Sequence, residues 1–246
     1  MVRMLNIVVG IYIYQFIPDS RVVPMKLWRA IFRLGFDLAY RVEVKGAENF
    51  KKAGKRTVII ANHLSYIDPP LIACNLPEEI QFAINLPISK EWWVRPFLKI
   101  LKTYPIEPNN PMAIKSLIEE VKKDKKIAIF PEGRTSVTGS LMKVYEGPGM
   151  IADKADATIL PIRVDGTQFT IFSKVRKLMK GKLSFRRKIT VTILPPVKLN
   201  APKTLDNRER RKAIGQSLYD IMSEMMFESS DYKETLFQSL INASKV

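Results

Sequence analysis

The sequence has too few cysteines and histidines for several common classes of site. Among 246 residues it has one cysteine, Cys74, and one histidine, His63. A lone cysteine cannot form an internal disulfide or a multi-cysteine metal site, and a lone histidine excludes the HExxH zinc arrangement. The composition is that of a cytoplasmic chain, or of one indifferent to redox state.

Acidic residues are also scarce. The chain has 40 lysines and arginines against 24 acidic residues, a net charge of +16, and no acidic residue lies between Asp165 and Asp206. Cations in this stretch alternate with large apolar side chains, a mixture that suits an anionic lipid surface, nucleic acid or a solvated basic loop. The cations of this stretch include Lys174, Arg176, Lys177, Lys180, Lys182, Arg186, Arg187 and Lys188.

The apolar N-terminal segment, residues 5–17, is shorter than the roughly 20 residues that span a bilayer. After Pro18 a second helical pattern begins near Pro24, with an apolar face opposite a face of lysines and arginines. Such a helix lies in a membrane interface or caps the core of its own protein. We expect residues 1–41 to form a two-helix membrane-docking motif, with a docking face formed by Leu27, Trp28, Ile31, Phe32 and Leu34.

From residue 42 onward, short β-rich runs alternate with helical stretches. This alternation predicts one α/β domain over residues 42–246, with a mixed, largely parallel central sheet flanked by helices. Strands are expected at 57–61, 80–84, 127–130, 159–164 and 189–194. Helices are expected near 90–101, 111–123 and 147–155, followed by two C-terminal helices broken near Ser229.

The first chemically distinctive segment is NHLSYID at 62–68, directly after a predicted buried strand. Strand ends in α/β sheets are the usual ligand sites. A carboxylate at Asp68, five positions after His63, can accept from one imidazole nitrogen and leave the other as a general base. A covalent mechanism through Ser65 is the chemical alternative, although the sequence around it has no G-x-S-x-G elbow.

The second segment is FPEGRTS at 130–136, again after a predicted strand. Gly133 permits close backbone approach, Arg134 offers a bidentate fork to a phosphate, and Thr135 and Ser136 add hydroxyl donors. Glu132 would repel a phosphate, so we expect it to hold Arg134 or to bond a substrate hydroxyl.

Together these segments resemble the glycerolipid acyltransferase family. NHLSYID matches its H-x4-D motif, FPEG matches its F-P-E-G block, and Leu160-Pro161-Ile162 resembles its late proline-containing strand, over roughly residues 40–200. The resemblance implies that a fatty acyl group moves from an acyl carrier protein or coenzyme A thioester to a lysophospholipid. His63 would be the base and Asp68 its orienting carboxylate, with no metal or cofactor.

Within the family the chain is similar to the 1-acylglycerol-3-phosphate acyltransferases, which implies phosphatidic acid as the product. Two departures put the acceptor in question: Arg134 precedes Thr135, and Pro108 stands where an arginine is expected, with Lys102 as a candidate substitute. Segments 110–115 and 138–143 look more like enzymes that reacylate 2-acylglycerophosphoethanolamine. Lysophosphatidylethanolamine is therefore the alternative acceptor.

A nonenzymatic basic module that binds membrane or nucleic acid is the alternative from another class. It explains the charge of +16, but not the spacing of His63 and Asp68 nor the arginine turn after a buried strand. An acidic carrier protein and an anionic lipid use the same charge. We therefore expect an enzyme on the cytoplasmic face of a membrane, with no nucleic acid partner.

Overall fold

The fold is known from a computed structural model of the 246-residue chain. It describes residues 25–90, 94, 98, 101–107, 110–175, 186–199, 201–202, 204–228, 237 and 240. The apolar segment 5–17, most of the helix expected at 90–101, Pro108 and positions 176–185 of the basic stretch lie outside the described residues. Most of the second C-terminal helix lies outside them too.

Seven strands form one sheet in the order β1-β7-β6-β2-β5-β3-β4. Neighbouring strands are parallel except for β6 and β7, which are antiparallel. This arrangement confirms the predicted mixed, largely parallel sheet. The strands are β1 Arg41–Lys45, β2 Thr57–Ala61, β3 Gln81–Asn85, β4 Lys102–Ile106, β5 Lys126–Ile129, β6 Thr158–Asp165 and β7 Lys188–Ile193.

Helices cover both faces of this sheet. They are α1 Met25–Ala39, α2 Ala47–Lys52, α3 Asp68–Asn75, α4 Leu86–Ser89, α5 Pro111–Lys122, α6 Gly147–Lys154 and α7 Asn207–Phe227, with a 3₁₀ turn at Thr167–Phe169. The start of α5 shows why the sequence sets these bounds. Pro111 occupies a first-turn position that needs no N–H donor, and the Asn110 side chain accepts from the Met112 N–H at 3.0 Å.

The central strand β2 organises the core because all five of its residues are buried. Val58 and Ile60 pack on the face covered by α5, α6 and α7. Ile59 and Ala61 pack on the opposite face, with side chains from α2 and α3. A strand buried on both faces reads as a continuous apolar run, which is why this one is visible in the sequence.

The strands β1 and β4 were not predicted, and both lie at the edges of the sheet. An edge strand tolerates charged residues and proline, because one side of its backbone has no partner strand. β1 has the sequence RVEVK, and β4 contains Pro105. Their apolar signature is therefore too weak for sequence analysis.

The apolar residues of α1 divide between two directions. Trp28 is buried, and its ring begins a row with Phe32 and Phe36, with centroids 6.2 and 6.4 Å apart along the row. Four other apolar side chains of this helix are about half exposed or more: Leu27, Ile31, Leu34 and Leu38. Trp28 therefore packs on the protein and does not belong to the exposed docking face that we expected. Phe32 is partly buried on the same side of the helix, because residues four apart share one side.

Within the described part of the chain, no helix combines the length and the apolar character needed to cross a bilayer.

The parallel register brings three segments to one edge of the sheet. β2 lies between β5 and β6 and is parallel to both, so the chain leaves all three strands at the same edge. The segments that follow these strands are 62–68, 130–136 and 166–175. We call this side of the sheet, where β2, β5 and β6 have their carboxyl ends, the carboxyl edge; it is distinct from the edge strands β1 and β4.

Two glycines with left-handed backbone allow a test of this packing. At Gly46 (φ +70°) an added Cβ would lie 2.1 Å from the carbonyl oxygen of Ile193, whereas at Gly54 (φ +80°) it would meet nothing within 4 Å. We expect Gly54→Ala to lower the free energy of unfolding by about 1 kcal/mol, the cost of the backbone conformation alone. Gly46→Ala should cost roughly 2 kcal/mol more, since the carbonyl must move. Equal losses in urea titrations of the two variants would contradict the described packing of α2 against β7.

Candidate active site

Asn62 fixes the end of β2. Its fully buried side chain donates from Nδ2 to the Val164 carbonyl and accepts from the Val164 N–H through Oδ1, both at 2.8 Å. The side-chain amide of Asn62 thus extends the hydrogen bonding between β2 and β6 by one residue beyond Ala61. His63 therefore leaves the sheet from an anchored backbone.

His63 and Asp68 are in hydrogen-bond contact. The distance from His63 Nδ1 to Asp68 Oδ2 is 3.0 Å, and Oδ2 also accepts the backbone N–H groups of Leu64 at 2.7 Å and Ser65 at 2.8 Å. A carboxylate oxygen that receives backbone donors is an acceptor, so Nδ1 donates to it. Nε2 then carries the lone pair.

The second motif packs directly on this histidine. The Phe130 ring stacks on the imidazole with centroids 4.2 Å apart, and the Ser136 N–H donates to the His63 carbonyl at 2.7 Å. The His63 side chain nevertheless keeps 14% of its surface exposed. The ring is held on one face and still accessible to a substrate.

Glu132 links the turn that carries His63 to the loop that follows β5. One carboxylate oxygen accepts the His63 N–H at 3.3 Å and the other accepts the Met142 N–H at 3.2 Å. The side chain is only 3% exposed, and burial raises the pKa of this carboxyl, opposed by the two N–H bonds. The sequence led us to expect that Glu132 holds Arg134 or bonds a substrate hydroxyl. Among the described residues it makes no ion pair with Arg134, and it links the backbones of His63 and Met142 instead.

The rest of the FPEGRTS segment divides by exposure. Gly133 and Arg134 are exposed, and Arg134 has no carboxylate partner within the described residues. Thr135 and Ser136 are buried, and the Ser136 hydroxyl accepts the Gly139 N–H at 2.8 Å and donates to the Ser140 carbonyl at 3.3 Å. Of the four residues expected to contact a phosphate here, Gly133 and Arg134 are the accessible ones.

Lys102 is not brought to this site. It opens β4 in register with Gln81, which is in register with Ile127 near the start of β5. Lys102 therefore lies at the amino end of its strand, away from the carboxyl edge that carries His63. Its ammonium pairs with Glu79. The expectation that Lys102 replaces a phosphate-binding arginine is corrected by this register.

Ser65 is not placed as a nucleophile. Its side chain is fully buried, and its hydroxyl lies 3.1 Å from that of Thr170. The Thr170 hydroxyl donates to the Thr167 carbonyl at 2.8 Å, so the Ser65 hydroxyl must be the donor between the two. Because Ser65 donates to Thr170 and not to His63, the geometry gives no support to a covalent serine mechanism.

Sequence analysis missed the segment 166–175, which follows β6 at the carboxyl edge. The Ser173 hydroxyl donates to the Leu64 carbonyl at 2.6 Å, and the Tyr66 N–H donates to the Phe172 carbonyl at 3.3 Å. Its short polar residues look like any loop, and their partners are about a hundred positions away along the chain. A single sequence therefore carries no signal for this contact.

Described cations of the basic stretch also lie beside the site. Lys174 Nζ is 5.6 Å from the centroid of the Tyr66 ring, within the H-x4-D segment. The Arg187 guanidinium lies 3.3 Å from the Phe169 ring centroid. Part of the positive charge therefore lies at the same edge as His63.

A histidine with one ring nitrogen bonded to a buried carboxylate, and the other carrying a lone pair, has the arrangement that general-base catalysis requires. The family model described as Acyltransferase matches residues 41–165, half of the chain, and includes every residue of this arrangement except those after Asp165. The chain belongs to the acyltransferase family.

Relatives of known name are distant. A chloroplastic 1-acyl-sn-glycerol-3-phosphate acyltransferase of Brassica napus, BAT2, is 27% identical over 146 residues, and its counterpart LPAT1 of Arabidopsis thaliana is 26% identical over 148. Each match covers 58% of this chain, which spans about two fifths of either relative (41% and 40%). The alpha form of Ovis aries is 23% identical over 215 residues, 82% of this chain and 70% of that protein.

The fold also has a solved counterpart. The crystal structure of the 1-acyl-sn-glycerophosphate acyltransferase PlsC from Thermotoga maritima matches with a TM-score of 0.60. The match covers 92% of this chain and 98% of that one, at 24% identity. This likeness confirms the α/β fold.

The buried Glu132 makes stability depend on pH. At low pH the carboxyl is protonated in both the folded and the unfolded chain. As the pH rises past the ordinary glutamate pKa of about 4.3, the unfolded chain ionises first, and this favours unfolding until the pH passes the raised pKa of the folded state. Glu132→Gln cannot ionise. The free energy of unfolding of the wild type minus that of the variant should therefore fall as the pH rises through this window.

Urea titrations at a series of pH values measure this difference. A difference that stays constant or increases with pH would show that the folded state does not disfavour ionised Glu132.

Proposed function

We propose that this chain transfers a fatty acyl group from a thioester to the free hydroxyl of a lysophospholipid. The observation that carries the proposal is the 3.0 Å contact between His63 Nδ1 and the fully buried Asp68, which leaves Nε2 as a base beside an exposed arginine turn. Membership of the acyltransferase family and the names of the relatives support the same class of reaction.

The reaction needs one proton to move twice. His63 Nε2 removes the proton of the acceptor hydroxyl, and the oxygen attacks the thioester carbonyl to form a tetrahedral oxyanion. Collapse of that oxyanion forms the ester and breaks the carbon–sulfur bond, and the leaving thiolate takes the proton from the imidazolium. Asp68 stabilises the imidazolium while it exists. The donor is an acyl carrier protein or coenzyme A thioester, and either is polyanionic and is attracted by a chain of charge +16.

The acceptor we favour is 1-acylglycerol-3-phosphate, with phosphatidic acid as the product. Arg134 is exposed and has no carboxylate partner among the described residues, so its guanidinium is available to a phosphate. A second cation lies near it: Lys143 Nζ is 4.8 Å from the centroid of the Tyr145 ring, and a Cβ added at Gly133 would lie 3.2 Å from this ring. Two cations suit a phosphate monoester.

Lysophosphatidylethanolamine is the second candidate acceptor. Lys102 lies away from the site, so it does not replace the arginine that the family has at the position of Pro108. A site with one cation fewer suits a phosphate diester, which carries a single negative charge.

The chain would work on the cytoplasmic face of a membrane, docked by residues 1–41 ahead of an α/β domain at 42–246. In the described part of this motif the exposed side chains of Leu27, Ile31, Leu34 and Leu38 would enter the interface. Lys26 and Arg33 are exposed on the same helix and would meet anionic headgroups.

His63→Ala should abolish acyl transfer, with a loss of at least about 10²-fold, because it removes the only histidine of the chain and with it the proposed acceptor of the hydroxyl proton. The assay offers lysophosphatidic acid and lysophosphatidylethanolamine side by side in detergent, and thermal unfolding checks that the variant is folded. A folded variant that keeps more than a few per cent of the activity would exclude His63 as the base.

Charging the exposed face of α1 should weaken membrane binding. We expect Ile31→Asp with Leu34→Asp to weaken sedimentation with vesicles containing anionic lipid by at least roughly tenfold, since two apolar contacts are lost and two negative charges are added. Met112→Asp, on the exposed apolar side chain of α5, is the matched control and should bind as the wild type does. Equal binding by all three proteins would remove α1 from the proposed docking surface.

A further inference from the structure

The segment 166–175 is unusually buried for a loop. Thr167 is fully buried, and Gln168, Thr170 and Ser173 are 1%, 3% and 8% exposed. Most loops run over the surface, because buried polar groups must find hydrogen-bond partners inside the protein. The partners of this segment show what it holds.

Three of its hydrogen bonds go to residues 64–66 of the H-x4-D segment. Ser173 donates to the Leu64 carbonyl, Phe172 accepts from the Tyr66 N–H, and Thr170 accepts from the Ser65 hydroxyl. These contacts join segments about a hundred residues apart.

The direction of these bonds is determined. Thr170 gives its hydrogen to the Thr167 carbonyl, so Ser65 must give its own hydrogen to Thr170. The Val175 N–H donates to the Ser173 hydroxyl at 3.2 Å, which leaves that hydroxyl's hydrogen for Leu64. The hydroxyls of Thr170 and Ser173 each donate one hydrogen bond and accept another. Neither of these two hydroxyls can rotate without losing a buried bond.

The residues held in this way are the ones that hold Asp68. The backbone N–H groups of Leu64 and Ser65 donate to Asp68 Oδ2, the oxygen that accepts from His63 Nδ1. A shift of residues 64–66 therefore moves the two donors that aim the carboxylate at the imidazole. A displacement of about 1 Å in such an arrangement can reduce a rate by about 10²-fold.

We propose that Thr170 and Ser173 are positioning residues for the general base, acting through Ser65 and Leu64 on the contact between Asp68 and His63. The inference rests on the proposed acyltransferase function and adds residues that the H-x4-D motif does not contain. They touch neither substrate, so their effect belongs to turnover and not to substrate affinity.

The test compares Thr170→Val, Thr170→Ser, Ser173→Ala, Ser65→Ala and the double variant Ser65→Ala with Thr170→Val. Thr57→Val is the matched control: the Thr57 hydroxyl is equally buried, donates to the Ala53 carbonyl at 3.1 Å and lies at the opposite end of β2. Steady-state acyl transfer with purified full-length protein gives kcat and KM, and thermal unfolding gives the stability of each variant.

We expect Thr170→Val and Ser173→Ala to lower kcat by about tenfold or more, with KM within about twofold of the wild type. Thr170→Ser should restore kcat because it keeps the hydroxyl, and Thr57→Val should lose stability but not turnover. The double variant should be no slower than Thr170→Val alone, since both substitutions break the same bond.

A kcat for Thr170→Val no lower than that of Thr57→Val would overturn the inference, and so would a Thr170→Ser variant as slow as Thr170→Val. Either result with an active wild type and an inactive His63→Ala leaves the proposed function intact. A wild type that transfers no acyl group to any lysophospholipid would overturn the proposed function and this inference with it.

Discussion

The site depends on one buried oxygen atom, Oδ2 of Asp68. It accepts from His63 Nδ1 and from the backbone N–H groups of Leu64 and Ser65, in a side chain with no exposed surface. A buried carboxylate is tolerated only where donors replace water, so the turn must close around it. Asp68 is also the first residue of α3, where the helix dipole favours negative charge. The same atom therefore accepts two backbone N–H groups of the turn and orients the imidazole of His63.

The parallel sheet supplies what surrounds that atom. β2 delivers the histidine, β5 delivers Phe130 and Glu132, and β6 leads into the segment 166–175. The histidine turn is thus held from two sides by chain that is distant in sequence. Burial of Glu132 disfavours its ionised form and raises the pKa of its carboxyl, and the same side chain links the backbones of His63 and Met142.

Sequence analysis succeeded where contacts are local or where both faces of an element are buried. The run TVIIA in β2 and the five-residue spacing of His63 and Asp68 are features of this kind. It failed where strand register decides, as for Lys102, whose place on β4 sets it apart from His63. It failed again where an acceptor has competing donors, as for Glu132, and where hydroxyl partners are a hundred residues apart, as for Ser65 and Thr170.

The central claim is that His63 is held as a base by a hydrogen bond from Nδ1 to Asp68. Because it is the only histidine of the chain, ¹⁵N labelling of histidine with NMR in detergent micelles observes its two ring nitrogens without signals from other histidines, and the couplings to the ring carbon-bound protons distinguish Nδ1 from Nε2. In the neutral imidazole the account predicts a proton on Nδ1 and none on Nε2. In Asp68→Ala the hydrogen bond is absent, so the proton should no longer be fixed on Nδ1. A neutral imidazole protonated on Nε2, unchanged by Asp68→Ala, would contradict the account.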